Sequence, residues 1–419
     1  MSEELKIVWQ EDGEERSARW RSESGARPPK RIVVADDTMP ADIAYRHACE
    51  GTGLLWRGDF NNARLLLQAI ARRIERKPAK AGKGGKAGKA ANAARKAARA
   101  AAAPSGGPAT VTAPGAGLAS GSATPGGAMP EAFHLHRQAQ AQRARTLGML
   151  LVPFDADYRI PLRRAPDVRD ACEEAYGPPD GAFVASLREL QGLVGAHEWR
   201  KKGVMIPALG APIHPHYGVF SPVRGEYVDL VAQAPLPAGA SELAFDIGTG
   251  TAVLAAVLAQ RGVRRVVATE QDERALACAR ENVARLGLSR QIEVVEADLF
   301  PAGRAPLVVC NPPWVPARPS SPVEHAVYDP DSRMLRGFLA GLAAHLAPQG
   351  EGWLILSDLA EHLRLRSRDD FLAMIEAAGL HVVGRLDARP RHPRASDADD
   401  ALYAARAAEV TSLWRLAVR

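Results

Sequence analysis

"ELAFDIGTGTAVLAAVLAQRG", Glu242 to Gly262, is the stretch that decides the fold. Its first residues form an apolar run suited to a buried strand. Gly248 and Gly250 then break the run, and a second apolar stretch long enough for a helix ends at Gly262. Glycines at such a turn let backbone come close to a ligand, and the first amides of the following helix have no partner within the helix.

The same alternation continues to the C-terminus. "RVVATE" reads as a strand and "DERALACARENVARLGL" as a helix; "IEVVEAD" and "PLVVCNPP" read as further strands. The helix "DSRMLRGFLAGLAAHLAP", the strand "GWLILS", the helix "RDDFLAMIEAAGL" and the strands "HVVGRLD" and "TSLWRLAVR" complete the series. Apolar strands separated by helices predict a mostly parallel sheet covered on both faces. The last two strands lack a helix between them and predict an antiparallel pair at one edge. The expectation is a doubly wound α/β sheet of seven strands.

Ligands of such sheets bind beyond the carboxyl ends of the strands, and the residues at those ends carry chemistry. The first strand ends in Asp246 with Gly248 and Gly250, and the second in Glu270, an acid suited to accepting from both hydroxyls of a ribose. The third ends in Asp298 and Leu299 of "EADLF", where a carboxylate can accept from an adenine amino group. The fourth ends in "VVCNPPWVP", Val308 to Pro316. Prolines cannot donate to a sheet ladder, so the strand stops at Asn311.

In this order and spacing, the motifs of residues 219–419 resemble those of class I S-adenosylmethionine-dependent methyltransferases. "NPPW" resembles the (Asn/Asp)-Pro-Pro-(Tyr/Phe/Trp) motif of amino-group methyltransferases, which act on exocyclic amines of nucleobases or on the side-chain amide of glutamine. The resemblance implies a Rossmann-like sheet, S-adenosyl-L-methionine as cofactor, and Asp246, Gly248, Gly250, Glu270, Asp298 and Leu299 as its binding residues. It also implies Asn311, Pro312 and Trp314 as the reaction centre. The chain departs from many relatives at Ala252, where they have a third glycine.

The chemistry explains the rigidity of the NPPW loop. An aromatic amine or carboxamide nitrogen is a poor nucleophile because its lone pair is delocalised. The Asn311 side-chain oxygen and the Pro312 carbonyl are acceptors suited to gripping both N–H hydrogens. The prolines fix φ, and Trp314 offers a flat face for stacking. Around this centre, Tyr217 and Phe220 of "IHPHYGVFSPVRGEYVDL" are candidate walls of the cleft. That segment is similar in position to the Arg-Pro-Glu-Thr-Glu segment of release-factor glutamine methyltransferases, without reproducing it. Tyr328, Asp329 and Asp331 of "HAVYDPDSRML" are substrate candidates, with capping of the following helix as the alternative for Asp331. His214 and His216 read as structural.

The N-terminal half has a different organisation. Residues 1–76 and 131–218 read as one substrate-recognition domain, α or α+β, interrupted by a basic insert at 77–130. Helices are expected within 40–76, with Asp59 capping the second, and over 131–146 and 183–194. The insert is built mostly from Ala, Gly, Lys, Pro, Ser and Thr and has no acid, a composition that predicts disorder. Its eight Lys and Arg residues account for the overall basicity: without them the formal charge of +6 becomes −2. Such an insert is either a soluble linker or a nonspecific phosphate-binding arm.

The four cysteines lack CxxC spacing, which argues against a zinc site or a disulfide framework and suits a reduced cytoplasm. No run approaches the ~20 apolar residues of a membrane helix, and no signal-peptide pattern opens the chain. The expected partners are RNA or DNA, with a protein acceptor as the alternative and no membrane. A non-catalytic nucleic-acid-binding protein with a methyltransferase fold is the reading from another class. The sequence does not determine the oligomeric state.

Overall fold

Two sheets organise the chain in a computed structural model that describes residues 5–75, 128–319, 324, 326–390 and 402–419. The expected disorder of the insert falls on residues outside this description, apart from 128–130. These three form the first turn of a helix over Ala128–Leu147.

The N-terminal sheet contains β1 (Lys6–Glu11), β2 (Glu14–Trp20), β3 (Arg31–Ala35), β4 (Thr52–Trp56), β5 (Leu150–Phe154) and β6 (Phe183–Ser186), in the spatial order β1-β2-β6-β5-β4-β3. It mixes parallel pairs (β3 with β4, β4 with β5, β2 with β6) and antiparallel ones (β1 with β2, β5 with β6). Leu54 and Trp56 face a core shared with the helices Phe60–Glu75 and Leu187–Lys202. Leu55, Leu151 and Val184 face the other way, toward Ile7, Trp9 and Trp20. β1 returns toward β3, and Arg57 just past β4 forms a two-pronged ion pair with Glu11 at the end of β1, at 2.8 and 2.9 Å.

Two expectations for this half are corrected. The helical reading of 40–76 holds for Ala41–Cys49 and Phe60–Glu75, but β4 lies between them. The helix expected over 183–194 begins as β6 and becomes helical at Leu187, with Ser186 accepting from the Arg188 amide. In both cases pairing with a buried strand outweighs weak local helix preference. Asp59 caps its helix as expected, accepting from the Asn61 amide at 2.9 Å.

After a hairpin of β7 (Val204–Ile206) and β8 (Ala211–Ile213), the C-terminal sheet contains β9 (Leu243–Ile247), β10 (Arg265–Glu270), β11 (Ile292–Glu296), β12 (Ala305–Cys310), β13 (Leu346–Ser357), β14 (Leu380–Ala388) and β15 (Thr411–Val418). Its order is β11-β10-β9-β12-β13-β15-β14, with only β15 antiparallel to its neighbours. The doubly wound α/β sheet of seven strands is therefore present. Its antiparallel strand lies one place in from the edge. Ile206, Leu209 and Ile213 pack into the same core as β9, so that core begins ahead of Val219. Strand order reverses between β9 and β12, which opens a crevice at their carboxyl ends.

The two units meet through part-buried polar groups. Arg200 and His216 both reach a Glu281 carboxylate oxygen at 2.6 Å, and the His214 amide donates to Asn282 Oδ1. Arg274 donates to Glu23 and to the Ala175 carbonyl. The two histidines are thus structural. Burial pulls the His216 pKa below its ordinary value despite the adjoining Glu281.

Candidate active site

The first carboxyl-edge loop is built from below. Asp246 is buried, and its Oδ2 accepts from Thr249 Oγ1 at 2.5 Å and from the Ala255 amide at 3.1 Å. Burial pushes its pKa up to about 6 against those two hydrogen bonds. Its carboxylate therefore shapes the loop from inside and is not offered to a ligand. Gly248 and Gly250 have φ of 68° and 55°. A Cβ on Gly248 would run into the methyl of Met334, whereas Gly250 faces open space. Ala252, which replaces the third glycine, also lies in the left-handed region at φ 63° and is wholly buried.

Glu270 stands at the end of β10. One carboxylate oxygen accepts from the Gly250 amide at 3.1 Å, and the other from the Gln271 and Asp272 amides at 2.9 and 3.1 Å. The acid thereby ties the first loop to the second. Asp298 is exposed beyond β11, and Leu299 beside it has φ of 71°, with its carbonyl accepting from Thr269 Oγ1 at 2.5 Å.

β12 pairs with β9 up to Cys310 opposite Ile247, so Asn311 emerges beside Gly248. Asn311 Oδ1 accepts from Trp314 Nε1 at 2.9 Å. This bond fixes the amide orientation and leaves the oxygen a second lone pair. Trp314 is half-buried, and Arg224 lies 5.2 Å from its ring centroid. Arg224 in turn donates to Glu226 at 2.9 Å and to Glu409 at 3.0 Å, both carboxylates being buried; Ser357 at the end of β13 also donates to Glu409. Four separated chain segments thus hold one tryptophan.

The flanking candidates are placed differently from one another. Phe220 packs against the core of the C-terminal sheet, as Trp314 does. Tyr217 packs toward the N-terminal core with Arg274 5.7 Å from its ring, and burial pushes its hydroxyl up to about 12. Tyr328 is engaged in structure: it bridges to Val315, joins a cluster around buried Phe133, and has Arg137 4.2 Å from its ring. Asp331 is exposed and does not cap the helix Arg333–His345. Buried Asp329 does this instead, accepting from the Met334 and Leu335 amides. The Asp-Pro pair before an apolar run was the sequence signal for it. No such signal marked Arg224, Glu409 or Phe133.

Strain gathers at this edge. Of the nine non-glycine residues with positive φ among those described, Ala252, Leu299, Asp331, Ser332 and Arg364 all lie on its loops. Such backbone concentrates at functional sites.

An α/β sheet with its reversal point lined by a glycine turn, an acid and a rigid Asn-Pro-Pro-Trp corner is the arrangement expected of a nucleotide-type cofactor site next to an acceptor site. The comparisons with known proteins agree. Residues 211–366 match the methyltransferase small domain family. The chain is 33% identical to a release factor glutamine methyltransferase of Cereibacter sphaeroides over 35% of its own length and 56% of that protein. It is 36% identical to a ribosomal protein L11 methyltransferase of Sorangium cellulosum over 31% and 33%, respectively. It is 34% identical to a tRNA1(Val) (adenine(37)-N6)-methyltransferase of Bacteroides thetaiotaomicron over 29% and 54%. In each case the chain spans less than two thirds of the relative's length.

S-adenosylmethionine fits the residues present. The open space at Gly250 and the acceptor-only carboxylates of Glu270 and Asp298 suit an adenosine carrying a cationic tail. Among the described residues, no group of three or more His, Cys, Asp or Glu side chains is arranged to hold a metal, and no helix is long and apolar enough to cross a membrane.

Proposed function

We propose that this chain is an S-adenosylmethionine-dependent N-methyltransferase acting on a planar exocyclic amino group, that of a nucleic-acid base, with RNA favoured over DNA. The observation that carries the reading is the Asn311 amide, locked by Trp314 at the tip of β12 beside the Gly248 turn. The bound cofactor supplies an electrophilic methyl on a sulfonium. Gly248, Gly250, Glu270, Asp298 and Leu299 hold it, with Asp246 setting the loop beneath. The free lone pair of Asn311 Oδ1 and the Pro312 carbonyl accept the two N–H hydrogens of the acceptor and turn the nitrogen lone pair outward. Trp314 stacks on the acceptor with the face away from Arg224. No base is needed before attack, because the nitrogen loses its proton after it is methylated.

The basic residues between 77 and 127, and the presence of a tRNA adenine methyltransferase among the relatives, support a nucleic-acid acceptor. A glutamine side chain is the second reading, supported by the similarity to a release factor enzyme. In either case residues 5–75 and 131–218 select the acceptor, and a reduced cytoplasm suits the four free cysteines. Incubating the protein with cell extract and methyl-labelled cofactor tests the reading. Label released by nuclease supports the base acceptor; label released only by protease overturns it.

A further inference from the structure

An open cleft of about 1140 Å³ starts at Pro316, two residues past Trp314, and runs between the loop after β12 and the loop after β13. Ser332, Arg333, Arg336 and Arg366 line one part of it, and Met374 and Ala377 another. Arg333 and Arg336 are exposed and lie one helical turn apart on the rim. Arg366 is different: only 6% of it is exposed. One terminal nitrogen donates to Ser332 Oγ at 3.2 Å and the guanidinium carbon lies 5.9 Å from the Phe371 ring centroid, while Nε and the other terminal nitrogen have no hydrogen-bond partner among the described residues. Among the described residues no carboxylate pairs with it directly. The acids that bear on its charge, Glu361 and Asp329, are committed to Arg368 and to the backbone amides of Met334 and Leu335.

A buried guanidinium with empty donors is a costly arrangement unless an anion completes it. Its planar fork matches a phosphate, and two further arginines at the rim add to the attraction. Two acids also line the cleft. Asp370 accepts from the Ser367 hydroxyl and amide, and Asp331 is exposed at the rim. The balance remains positive.

We infer that this cleft binds a phosphodiester of the nucleic-acid acceptor, with Arg366 as its floor and Arg333 and Arg336 as its rim, so that the backbone is gripped while a base reaches Asn311. The inference rests on the acceptor being a nucleic acid. It places specific phosphate recognition in the folded domain, independent of the basic residues between 77 and 127.

The test is binding of a labelled single-stranded oligoribonucleotide by the full chain, across salt concentrations, with S-adenosylhomocysteine present. R333Q/R336Q should weaken binding about tenfold or more and flatten the log affinity–log salt slope by about 0.7 for each phosphate no longer neutralised. R366M should do the same, with S-adenosylhomocysteine affinity unchanged. If R366M does not fold, the rim variant decides, because both its positions are exposed. Unchanged affinity, or weaker binding with an unchanged salt slope, overturns the proposal. Competition separates the sources of phosphate. An oligonucleotide that outcompetes adenosine monophosphate and inorganic phosphate supports a polymer, and equal competition by inorganic phosphate overturns it. If methyl label enters protein only, the acceptor reading fails, and the binding slopes still decide the cleft separately.

Discussion

The two halves of the proposed site are held in contrasting ways. On the cofactor side, Asp246, Thr249, Gly250 and Glu270 brace one another across twenty-four residues, largely through backbone amides. On the acceptor side, Trp314 depends on Arg224, Glu226, Ser357 and Glu409, which span nearly two hundred residues. Phe133, from the first part of the chain, packs against the same loop. A cofactor common to many enzymes can be held by a local motif. The proposed acceptor site is assembled from long-range interactions, so its shape depends on the whole fold.

Breaking each half should give a different signature. Asn311→Ala should lower turnover by ~10²-fold or more, as for loss of one pre-positioned hydrogen-bond partner, while calorimetry still detects S-adenosylhomocysteine. Near-normal turnover would remove Asn311 from the reaction centre. Arg224→Met should leave two buried carboxylates without their cation and cost roughly 3 kcal/mol of stability. It should also lower kcat more than it alters cofactor affinity, because Trp314 loses the group over its ring. An equal effect on both sides would erase the contrast between the two halves.

The cofactor half has a pH signature. Asp246 has a folded pKa of about 6, raised by burial from the ordinary carboxylate value near 3.8. Its protonated form is favoured in the folded state, so its contribution to stability is full below about pH 4 and is lost as pH rises through about 6. Denaturant unfolding from pH 4 to 7 should show this decline in the wild-type protein, and Asp246→Asn should remove it. An identical pH dependence in the two proteins would refute the assignment. Ala252→Gly should have the smallest effect, within about 1 kcal/mol, because relief of a left-handed alanine is offset by removal of a buried methyl and by added chain entropy. Cofactor binding should be unchanged or tighter.

Much of the C-terminal half was legible because its signals are local. Apolar runs, glycine turns and acids at strand ends follow one another along the chain, and β9 to β15 appear close to where periodicity put them. However, β13 starts at Leu346, inside the expected helix, and a short helix Tyr403–Ala408 lies between the last two strands, where none was expected. The N-terminal half was less legible. β4 and β6 are short strands beside helical sequence, and only pairing with β3 and β5 makes them strands. The flanking site residues divided for the same reason. Tyr328 and Asp331 lie near the reaction centre in sequence, yet Tyr328 was drawn into the Phe133 cluster and Asp331 was left exposed while Asp329 took the cap.

The sequence by itself determined the doubly wound sheet, the glycine turn, the acid of β10 and the Asn-Pro-Pro-Trp corner, because each depends on residues within a few positions of one another. Only the tertiary structure decided that Arg224 lies over Trp314, that Phe133 packs against the acceptor loop, and that Arg366 is buried with empty donors. Those arrangements join residues far apart in the chain. Their partners are chosen by packing of the whole molecule, which no local pattern encodes.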